Sequence, residues 1–508
     1  MRKTLSTLFA IAAITSCNLD LAPENVMVDQ NVYADSKTTQ AALIGAYSRM
    51  NVYYAGAPED QNNYSYVSYS FLAGDLGTEN LMVYEDGVAD CLALQKGEYD
   101  NSCRDGEILS TWIKGYNAID YANCIIDGID RFADYDEATQ KQYKAEARFI
   151  RAFVYHSLLR TFGDGALTGN YDGLGLIIRD KPYDGYNPED YVARATVKET
   201  WDFIIKDLEI AASDLPASAG TADSRFRATK CAALALLSRV YLYMGSYKND
   251  KDCMDKAAEY ATQVLASADY EFSSDWKDYR GSIFPLNEYD AESKVYPDPT
   301  VRSKEIIFYQ PSRISTTKYT NGLGMYCYTK RLFCVDKAAM ADLYLEGDMR
   351  GPGDGSSNYL IGIGSTNFHK DEYAPLKYTN SEGYDDVHYI RLAEIKLNLA
   401  EALARRDQAV SADALKQLND IRLKPFEPGK KPAAFKASDF SNVGEFIDEI
   451  VKERNRELAF ENHRRWDVIR TGGKLRNADL TSAQQILPIP DYEVTISKGK
   501  LKQNTAFE

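Results

Sequence analysis

Two carboxylates that could work as an acid–base pair lie in a strongly charged segment near the C-terminus. Glu457 and Glu461 are four positions apart between Glu453 and Arg470, which places both on one face of a helix. Hydrolysis of a glycosidic bond needs two carboxylates that flank the bond, and neighbours on one helix face do not provide that. Opposite charges also recur at ion-pair spacing, in Glu453–Arg456, Arg454–Glu457, Glu461–Arg464 and Glu461–Arg465. Because paired carboxylates stay ionised and make poor general acids, we predict a structural role for this segment.

Other patterns that carry chemistry are weak or missing from the sequence. The chain has 508 residues, 4 histidines and a formal net charge of −16, which argues against a nucleic-acid partner. It has no His-Glu-x-x-His, Gly-x-Ser-x-Gly or Cys-x-x-Cys pattern. Asp75, Glu79 and Asn80 carry oxygen atoms that could bind calcium, but they lack the spacing of a known calcium loop. We therefore predict no enzyme activity, no cofactor and no metal site.

The elements that position these residues are mostly helical. Apolar residues recur at three-to-four-residue spacing in Ile108–Ile126 and in Tyr143–Phe162, which predicts two long helices. Thr196 and Glu199 form a capping box that opens a third helix. A last helix is predicted to run from Val443 to Arg470. The fold class is therefore predominantly all-α.

Two further pairs of helices have a repeat-like appearance. Ala228–Met244 is followed by Cys253–Ala268, and His388–Arg406 is followed by Ala412–Leu423. Each pair consists of an apolar helix, a turn and a second helix rich in alanine, which resembles a tetratricopeptide unit. A generic helical hairpin would give the same pattern, because no strict repeat period is visible.

Long segments with little helical period interrupt the helices. Asn51–Asp105, Gly163–Ala195, Tyr270–Ala338 and Gly347–Asp386 are rich in Gly, Asn, Asp, Pro and Tyr. Loops of this length in a compact domain are usually functional. Since they alternate with the helices along the chain, we predict one fused unit with a loop-rich binding face, at roughly 51–105 and 270–386.

The N-terminus has the features of a lipoprotein signal peptide. Arg2 and Lys3 precede an apolar run from Leu5 to Ile14, which is too short to span a membrane as a helix. Small residues then lead to Cys17, as in a bacterial lipobox, where the cysteine becomes the lipidated first residue. We predict a signal peptide over 1–16 and lipidation of Cys17; ordinary cleavage beside a coincidental cysteine is the alternative.

Export would allow disulfides to form. Cys91 with Cys103 and Cys327 with Cys334 are close in sequence and lie in segments that we predict to be loops. Both pairs are plausible bridges.

Five segments in order along the chain are characteristic in combination. One is the charged helix from Glu453 to Arg470. The others are Leu19-Asp20-Leu21-Ala22-Pro23, Ala145-Glu146-Ala147-Arg148-Phe149-Ile150-Arg151-Ala152, Ile486-Leu487-Pro488-Ile489-Pro490 with Glu493, and Gln503-Asn504. Together they resemble the SusD/RagB family, the surface nutrient-binding lipoproteins of Bacteroidetes, and the charged helix resembles the signature helix of that family. The resemblance covers nearly the whole chain and implies a single domain over 17–508.

The resemblance carries expectations about fold and function. It implies a scaffold of tetratricopeptide-like helix pairs that is not an enzyme. The protein would be anchored by lipid in the outer membrane, on its outer face, and would rest on a SusC-like TonB-dependent transporter. It would bind an oligosaccharide and pass it to that transporter. A face on the helix pairs Ala228–Ala268 and His388–Leu423 would contact the transporter. Two alternatives remain: the same scaffold binding peptides, and a scaffold for assembly that binds no small ligand.

The expected ligand site lies where aromatic residues concentrate in a loop segment. Tyr270–Tyr328 holds eight of the 37 tyrosines together with Trp276. A sugar ring needs flat aromatic platforms with polar groups at their edges. Trp276 and Tyr279 could be platforms, while Asp278 and Arg280 could bind hydroxyl groups. Further candidates are Tyr289, Tyr296, Tyr326, Tyr328, Tyr66 and Tyr69. The competing interpretation is that these aromatic residues only pack the loops.

Overall fold

The computed structural model has a predominantly helical fold. It describes residues 29–50, 73–83, 89–99, 106–185, 187–221, 224–273, 275–276, 279–285, 302–311, 323–324, 327, 333–353, 359–363, 373–380 and 385–508. The helices are α1 (Asp29–Tyr33), α2 (Ser36–Arg49), α3 (Ala89–Lys96), α4 (Glu107–Phe132), α5 (Glu137–Phe162), α6 (Val197–Asp214), α7 (Lys230–Gly245), α8 (Lys251–Leu265), α9 (Lys337–Ala341), α10 (Leu392–Asp407), α11 (Ala412–Arg422), α12 (Val443–Leu458), α13 (Arg464–Arg470) and α14 (Asp491–Ile496).

Local sequence explains where several of these helices begin. The predicted capping box is present: Thr196 Oγ1 accepts from the N–H of Glu199 at 3.1 Å, and the N–H of Thr196 donates to Glu199 Oε2 at 2.8 Å. Asp136 caps α5 by accepting from the N–H of Thr139 at 2.8 Å. The three helices predicted from Ile108, Tyr143 and Thr196 are therefore confirmed as α4, α5 and α6.

The helices stack in the order of the chain. Helix α4 packs on α5, α5 on α6, α6 on α7, α7 on α8, α8 on α10, and α10 on α11 and α12. The predicted pairs correspond to α7 with α8 and α10 with α11, which confirms the tetratricopeptide-like arrangement. The first helix of each pair is buried along most of its length. Each pair therefore exposes mainly its second helix.

Short strands link the loop segments to this stack. The strands are β1 (Leu81–Val83), β2 (Ile306–Gln310), β3 (Phe333–Val335), β4 (Ile361–Ile363), β5 (Tyr373–Pro375) and β6 (Val387–Arg391). They pair antiparallel as β1 with β3, β2 with β6 and β4 with β5. Because β6 forms a ladder with β2, the helix predicted to begin at His388 begins instead at Leu392.

The predicted continuous helix from Val443 to Arg470 is broken into α12 and α13. Phe460 and Asn462 have positive φ angles of 69° and 66°, which a continuing helix does not allow. The carboxylate of Asp75 stabilises this turn, because it accepts the N–H of Phe460 and the N–H of Asn462, each at 3.1 Å. The break depends on a residue nearly four hundred positions earlier, about which the local pattern carries no information.

The predicted bridge between Cys327 and Cys334 is not present. Cys327 is a buried free thiol, and burial raises its pKa above the ordinary range of a cysteine. Cys103, in the other predicted pair, lies outside the described residues, as do 1–16 and Cys17. A small buried thiol packs as an apolar residue, and that is the role of Cys327.

Candidate functional site

Close to Tyr279 lies a dense group of buried charges, here called the ionic network. Its side chains are at most 2% exposed. The members are Glu305, Asp348, Arg350, Lys377, Arg391, Lys424, Glu453, Glu457 and Glu461. They come from β6, α12, the turn after α12 and the segments between the helices and strands, so that distant parts of the chain converge here.

Arg391, the last residue of β6, joins three of the carboxylates. Its Nη1 donates to Glu457 Oε1 at 2.7 Å and to Glu305 Oε1 at 2.9 Å, and its Nε donates to Glu461 Oε2 at 2.8 Å. Its Nη2 also donates to the carbonyl of Glu457 at 2.8 Å. A planar guanidinium can make all of these bonds at once, which an ammonium cannot.

A second arginine continues the network on the other side of Glu457. Arg350 Nη1 donates to Glu453 Oε1 at 2.6 Å and to Glu457 Oε2 at 3.0 Å, while its Nη2 donates to Asp348 Oδ2 at 2.8 Å. Glu457 is therefore shared by two guanidinium groups. Each oxygen of this carboxylate is occupied by a cation, which leaves it no room to act on a substrate.

The cations of the network hold Glu457 and Glu461 ionised. Burial alone would raise the pKa of Glu457, but Lys424, Arg391 and Arg350 outweigh burial and hold that pKa well below its usual range. The pKa of Glu461 is lowered in the same way: Arg391 and Lys377 outweigh burial. Lys377 Nζ donates to Glu461 Oε1 at 2.6 Å. Carboxylates in this state do not supply a proton near neutral pH, in agreement with the structural role predicted from the sequence.

Most of the predicted ion pairs within the charged helix are wrong. Glu453 and Arg456 do pair at 2.9 Å, and Glu461 turns instead to Arg391 and Lys377. The other arginines also have partners elsewhere: Arg454 pairs with Asp467 at 3.3 Å and Arg464 with Glu79 at 2.6 Å, and Arg465 donates to the carbonyl of Gln485 at 2.7 Å. The break between α12 and α13 removes the helical spacing between Glu461 and the two arginines Arg464 and Arg465. Arg454 and Glu457 keep that spacing within α12, but Arg454 contacts Asp467, and Glu457 contacts arginines from other segments.

Asp75, Glu79 and Asn80 do not form a cation site. The carboxylate of Asp75 accepts two backbone N–H groups at the helix break and Nδ2 of Asn80, at 2.7 Å. Glu79 is paired with Arg464. Burial raises the pKa of Asp75 to about 6, and those hydrogen bonds partly offset the rise. Across the described ranges no group of three or more His, Cys, Asp or Glu side chains is arranged to hold a metal ion.

Trp276 and Tyr279 lie together over the network. Their rings are stacked, with centroids 4.9 Å apart and planes 9° apart. Trp276 is half-buried, whereas Tyr279 is 0% exposed and packs with Ile283, Phe284 and Leu360. The ammonium of Lys424 lies 4.4 Å from the centroid of the Tyr279 ring. The prediction that Tyr279 offers an open platform needs correction, because the indole of Trp276 and the core around it cover the ring.

The predicted role of Arg280 also changes. Its Nη1 donates to the carbonyls of Phe284 and Leu376 at 3.0 and 2.9 Å. Burial lowers the pKa of this guanidinium to about 10. Arg280 therefore ties the loop segment to the strand region around β5. The remaining candidates lie outside the described residues; they are Asp278, Tyr289, Tyr296, Tyr326, Tyr328, Tyr66 and Tyr69.

Sequence reasoning missed the cations that surround Glu457. Arg350, Lys377, Arg391 and Lys424 lie in four separate segments, and none is spaced relative to the charged helix in a way that indicates contact. Four carboxylates in the charged segment from Glu453 to Arg470, too many for a solvated face alone, would have been the available signal. Their number requires partners from other segments if the helix is buried.

Helix pairs stacked in chain order, with a charged centre carrying a stacked pair of aromatic rings, define a tetratricopeptide-like helical scaffold. The chain belongs to the SusD/RagB family. A family model described as SusD-like, starch-binding associating with outer membrane, matches residues 24–242. The model of the SusD family matches residues 346–505. The resemblance found in the sequence is thereby confirmed.

Curated relatives and solved structures agree with this assignment. SusD-like protein P38 of Formosa agariphila is 23% identical over 99% of this chain and 98% of its own length. A SusD-like protein of Bacteroides ovatus is 23% identical over 91% of this chain and 81% of its own length. The crystal structure of a SusD superfamily protein from Bacteroides vulgatus has a TM-score of 0.71 at 21% identity, covering 93% of this chain and 99% of that one. A SusD-like carbohydrate binding protein from the same species has a TM-score of 0.67 at 19% identity, covering 87% and 85%.

Proposed function

We propose that the protein binds an oligosaccharide on its loop-rich face and delivers it to a partner TonB-dependent transporter in the outer membrane. Membership of the SusD/RagB family supports carbohydrate binding, and one structural neighbour of the same fold is described as a carbohydrate binding protein. The observation that carries the proposal at the level of residues is the half-buried indole of Trp276, stacked on a buried tyrosine above the ionic network.

The position of Trp276 suits a platform for a sugar ring. Part of the indole is accessible, and its stacking on Tyr279 fixes its orientation before any ligand arrives. An aromatic ring fixed in advance loses little side-chain entropy on binding. The apolar C–H face of a pyranose can then cover the accessible part of the indole.

Tyr279 supports the platform from beneath. Its ring lies near the ammonium of Lys424, and Lys424 is itself 3.4 Å from Glu305 in the ionic network. The attraction between a cation and an aromatic ring is strengthened when both are removed from water. The network thus holds Tyr279, and Tyr279 holds Trp276.

We place the protein at the outer membrane through a lipid on Cys17. The family model that matches residues 24–242 carries an outer-membrane description. No helix among the described residues is both long and apolar enough to cross a membrane. A lipidated cysteine with several acyl chains would give a lasting anchor, and the scaffold would face the cell exterior.

Replacing Trp276 tests the proposal directly. Losing about 100 Å² of stacked contact at about 25 cal/mol per Å² removes ~2.5 kcal/mol, so Trp276→Ala should weaken oligosaccharide binding roughly 50-fold. A glycan array with the purified full chain identifies a ligand, and calorimetry measures the affinities.

Two variants control this experiment. Trp276→Phe keeps a ring on Tyr279 and should recover most of the affinity. Tyr247→Ala removes an aromatic residue that is 43% exposed elsewhere on the surface and should change nothing. An unchanged affinity in Trp276→Ala, or a loss of affinity that parallels a loss of stability, would contradict the proposed site.

The transporter is expected to contact the exposed second helices of the two pairs. Helix α8 presents Lys256 and α11 presents Lys416, both exposed. Lys256→Glu with Lys416→Glu should weaken co-purification with the transporter and leave oligosaccharide affinity intact. Lys198→Glu, on α6 with its side chain 63% exposed, is the matched control. Loss of transporter contact and ligand binding together would argue against a separate docking face.

A further inference from the structure

A cleft on the helical scaffold, remote in sequence from Trp276, has the properties of a second binding site. Its volume is about 200 Å³. The lining residues are Trp112, Ile113, Tyr116, Asn117, Ile177, Arg179 and Glu493. They come from α4, the segment that follows α5, and α14. Trp276, Tyr279 and their packing partners contribute nothing to this lining.

The floor of the cleft is aromatic and rigid. The rings of Trp112 and Tyr116 are 4.8 Å apart and tilted by 45°. The hydroxyl of Tyr116 donates to the carbonyl of Ile177 and accepts the N–H of the same residue, both at 3.0 Å. These bonds fix the tyrosine ring and satisfy its hydroxyl, so the polar groups that remain for a ligand belong to other residues.

Two opposite charges, Arg179 and Glu493, line the cleft. Within the described part of the chain, neither forms an ion pair with any side chain. Arg179 is held by the carbonyl of Asp190, to which its Nη2 donates at 2.9 Å. Burial raises the pKa of Glu493, while Arg179 and a hydrogen bond from Trp112 oppose the rise. The carboxylate is thus only partly compensated by its surroundings.

The mouth of the cleft is open and partly apolar. Ile113 is 38% exposed at the rim, and Asn117 is exposed beside it. Ile113 therefore offers an apolar contact beside the polar groups of the cleft.

This combination of groups disfavours a ligand with a net charge, because an anion would be repelled by Glu493 and a cation by Arg179. A neutral ligand rich in hydroxyl groups can donate to the carboxylate and accept from the guanidinium. A zwitterion could contact both charges as well, and it is the competing ligand class in the test. Asn117 can do both. The aromatic floor and Ile113 would contact the C–H groups of such a ligand. The volume is below the roughly 300–1,000 Å³ of ordinary ligand pockets, which limits the ligand to about one ring.

We propose that this cleft is a second carbohydrate-binding site, which holds a single neutral pyranose unit of a bound glycan or a free monosaccharide. The choice of ligand class rests on the proposed function, but the residues are independent of Trp276. A glycan chain that engages Trp276 on one molecule could then be retained at a second point, which raises its effective concentration at the protein.

Saturation-transfer NMR on the purified full-length protein tests this site. The probes are methyl α-D-glucopyranoside, methyl α-D-mannopyranoside and methyl β-D-galactopyranoside, with diglycine as a zwitterionic probe of similar size. We expect transfer to at least one methyl glycoside and none to diglycine. Ile113→Glu should reduce that affinity at least tenfold, because it places a charge at the mouth of the cleft. Leu345→Glu, at a residue 43% exposed outside the cleft, should leave it unchanged.

Further variants separate this proposal from the function assigned to Trp276. Glu493→Gln should weaken the interaction about tenfold, as expected for a lost hydrogen bond to a charged group, and Trp276→Ala should not. If Trp276→Ala removes all binding while Ile113→Glu removes none, the cleft proposal fails and the role of Trp276 stands. If Ile113→Glu and Glu493→Gln weaken binding and Trp276→Ala does not, the cleft stands, and the role of Trp276 is decided separately by the oligosaccharide affinity of Trp276→Ala. Transfer to diglycine alone, or to none of the probes, also overturns the proposal.

Discussion

Two interiors of the same molecule are built on different principles. The cluster between α10, α11 and α12 is apolar and uses small and aliphatic residues, among them Ala393, Leu397, Ala400, Leu418 and Ile450. The ionic network lies on the other part of α12 and is built from carboxylates, guanidinium groups and ammonium groups. Apolar packing tolerates substitutions of similar volume, whereas a buried charge requires its own partner.

The difference between the interiors also explains which one positions a site. The apolar cluster holds helices together through many interchangeable contacts. The ionic network fixes individual atoms, because each guanidinium has a fixed planar set of donors. The ring of Tyr279, and through it Trp276, lies over the network and not over the apolar cluster. Directional bonds are therefore used where a side chain must be placed accurately.

The largest effect is expected from removing the central cation of the network. Arg391→Met leaves Glu305, Glu457 and Glu461 without a shared donor and should lower the free energy of unfolding by about 3–5 kcal/mol, measured by denaturant titration. Arg391→Lys keeps the charge but loses the planar donor set, so it should still cost about 2 kcal/mol. A control, Lys416→Met at an exposed ion pair, should change stability by less than about 0.5 kcal/mol. A cost below about 1 kcal/mol for Arg391→Met would remove the distinction between the two interiors.

A smaller effect is expected from truncation in the apolar cluster. Leu418 is 0% exposed, so Leu418→Ala should destabilise the protein by about 3 kcal/mol through lost burial and a residual cavity. Leu418→Met, which nearly conserves volume, should cost less than about 1.5 kcal/mol in the same titration. A smaller loss of stability for Leu418→Met than for Arg391→Lys would support the distinction between the two interiors. Equal losses for these two conservative changes would argue against it.

The smallest expected effect is a pH dependence of stability, which should have one sign for Asp75 and the opposite sign for Glu457 in the ionic network. The folded pKa of Asp75 is raised from 3.8 to about 6, so the folded state binds the proton more tightly than the unfolded state. Its contribution to stability is therefore largest at low pH and is lost as pH rises toward and past 6. From pH 5 to pH 8 the free energy of unfolding of the wild type should fall by about 1 kcal/mol relative to that of Asp75→Asn. Denaturant titration at each pH measures the difference.

Glu457 should behave in the opposite way. Its folded pKa is lowered, so its contribution is present above the unfolded value near 4.5 and is lost only as pH falls below that value. Stability of Glu457→Gln relative to wild type should therefore stay constant from pH 5 to pH 8. The two pKa directions would be contradicted if the stability of Asp75→Asn relative to wild type did not change with pH in this window, or if that of Glu457→Gln did.

The helical scaffold could be predicted from the sequence because its signals are local. The apolar spacing in α4 and α5 and the capping box of α6 each lie within one element. The helix break at Phe460 could not be predicted, since the stabilising carboxylate is Asp75. The burial of Tyr279 was equally hidden: in the run from Trp276 to Arg280 nothing distinguishes the ring covered by Trp276 from the ring that faces solvent. Local pattern determines elements, while the site depends on contacts between distant segments.

The hydrogen bonds that the N–H groups of Phe460 and Asn462 donate to Asp75 have a consequence for the order of folding. The bond to Phe460 closes a separation of 385 residues, and Arg194 Nη1 meets Asn504 Oδ1 across another 310. Contacts of such span form late, because their loop entropy must be offset by structure already present. The helix pairs can assemble while the chain is being synthesised. The segment around Asp75 cannot form its native contacts until Phe460 and Asn462 have been synthesised. Loss of residues 459–508, which removes Phe460, Asn462 and Asn504, should therefore leave an N-terminal part that is helical but lacks these long-range contacts.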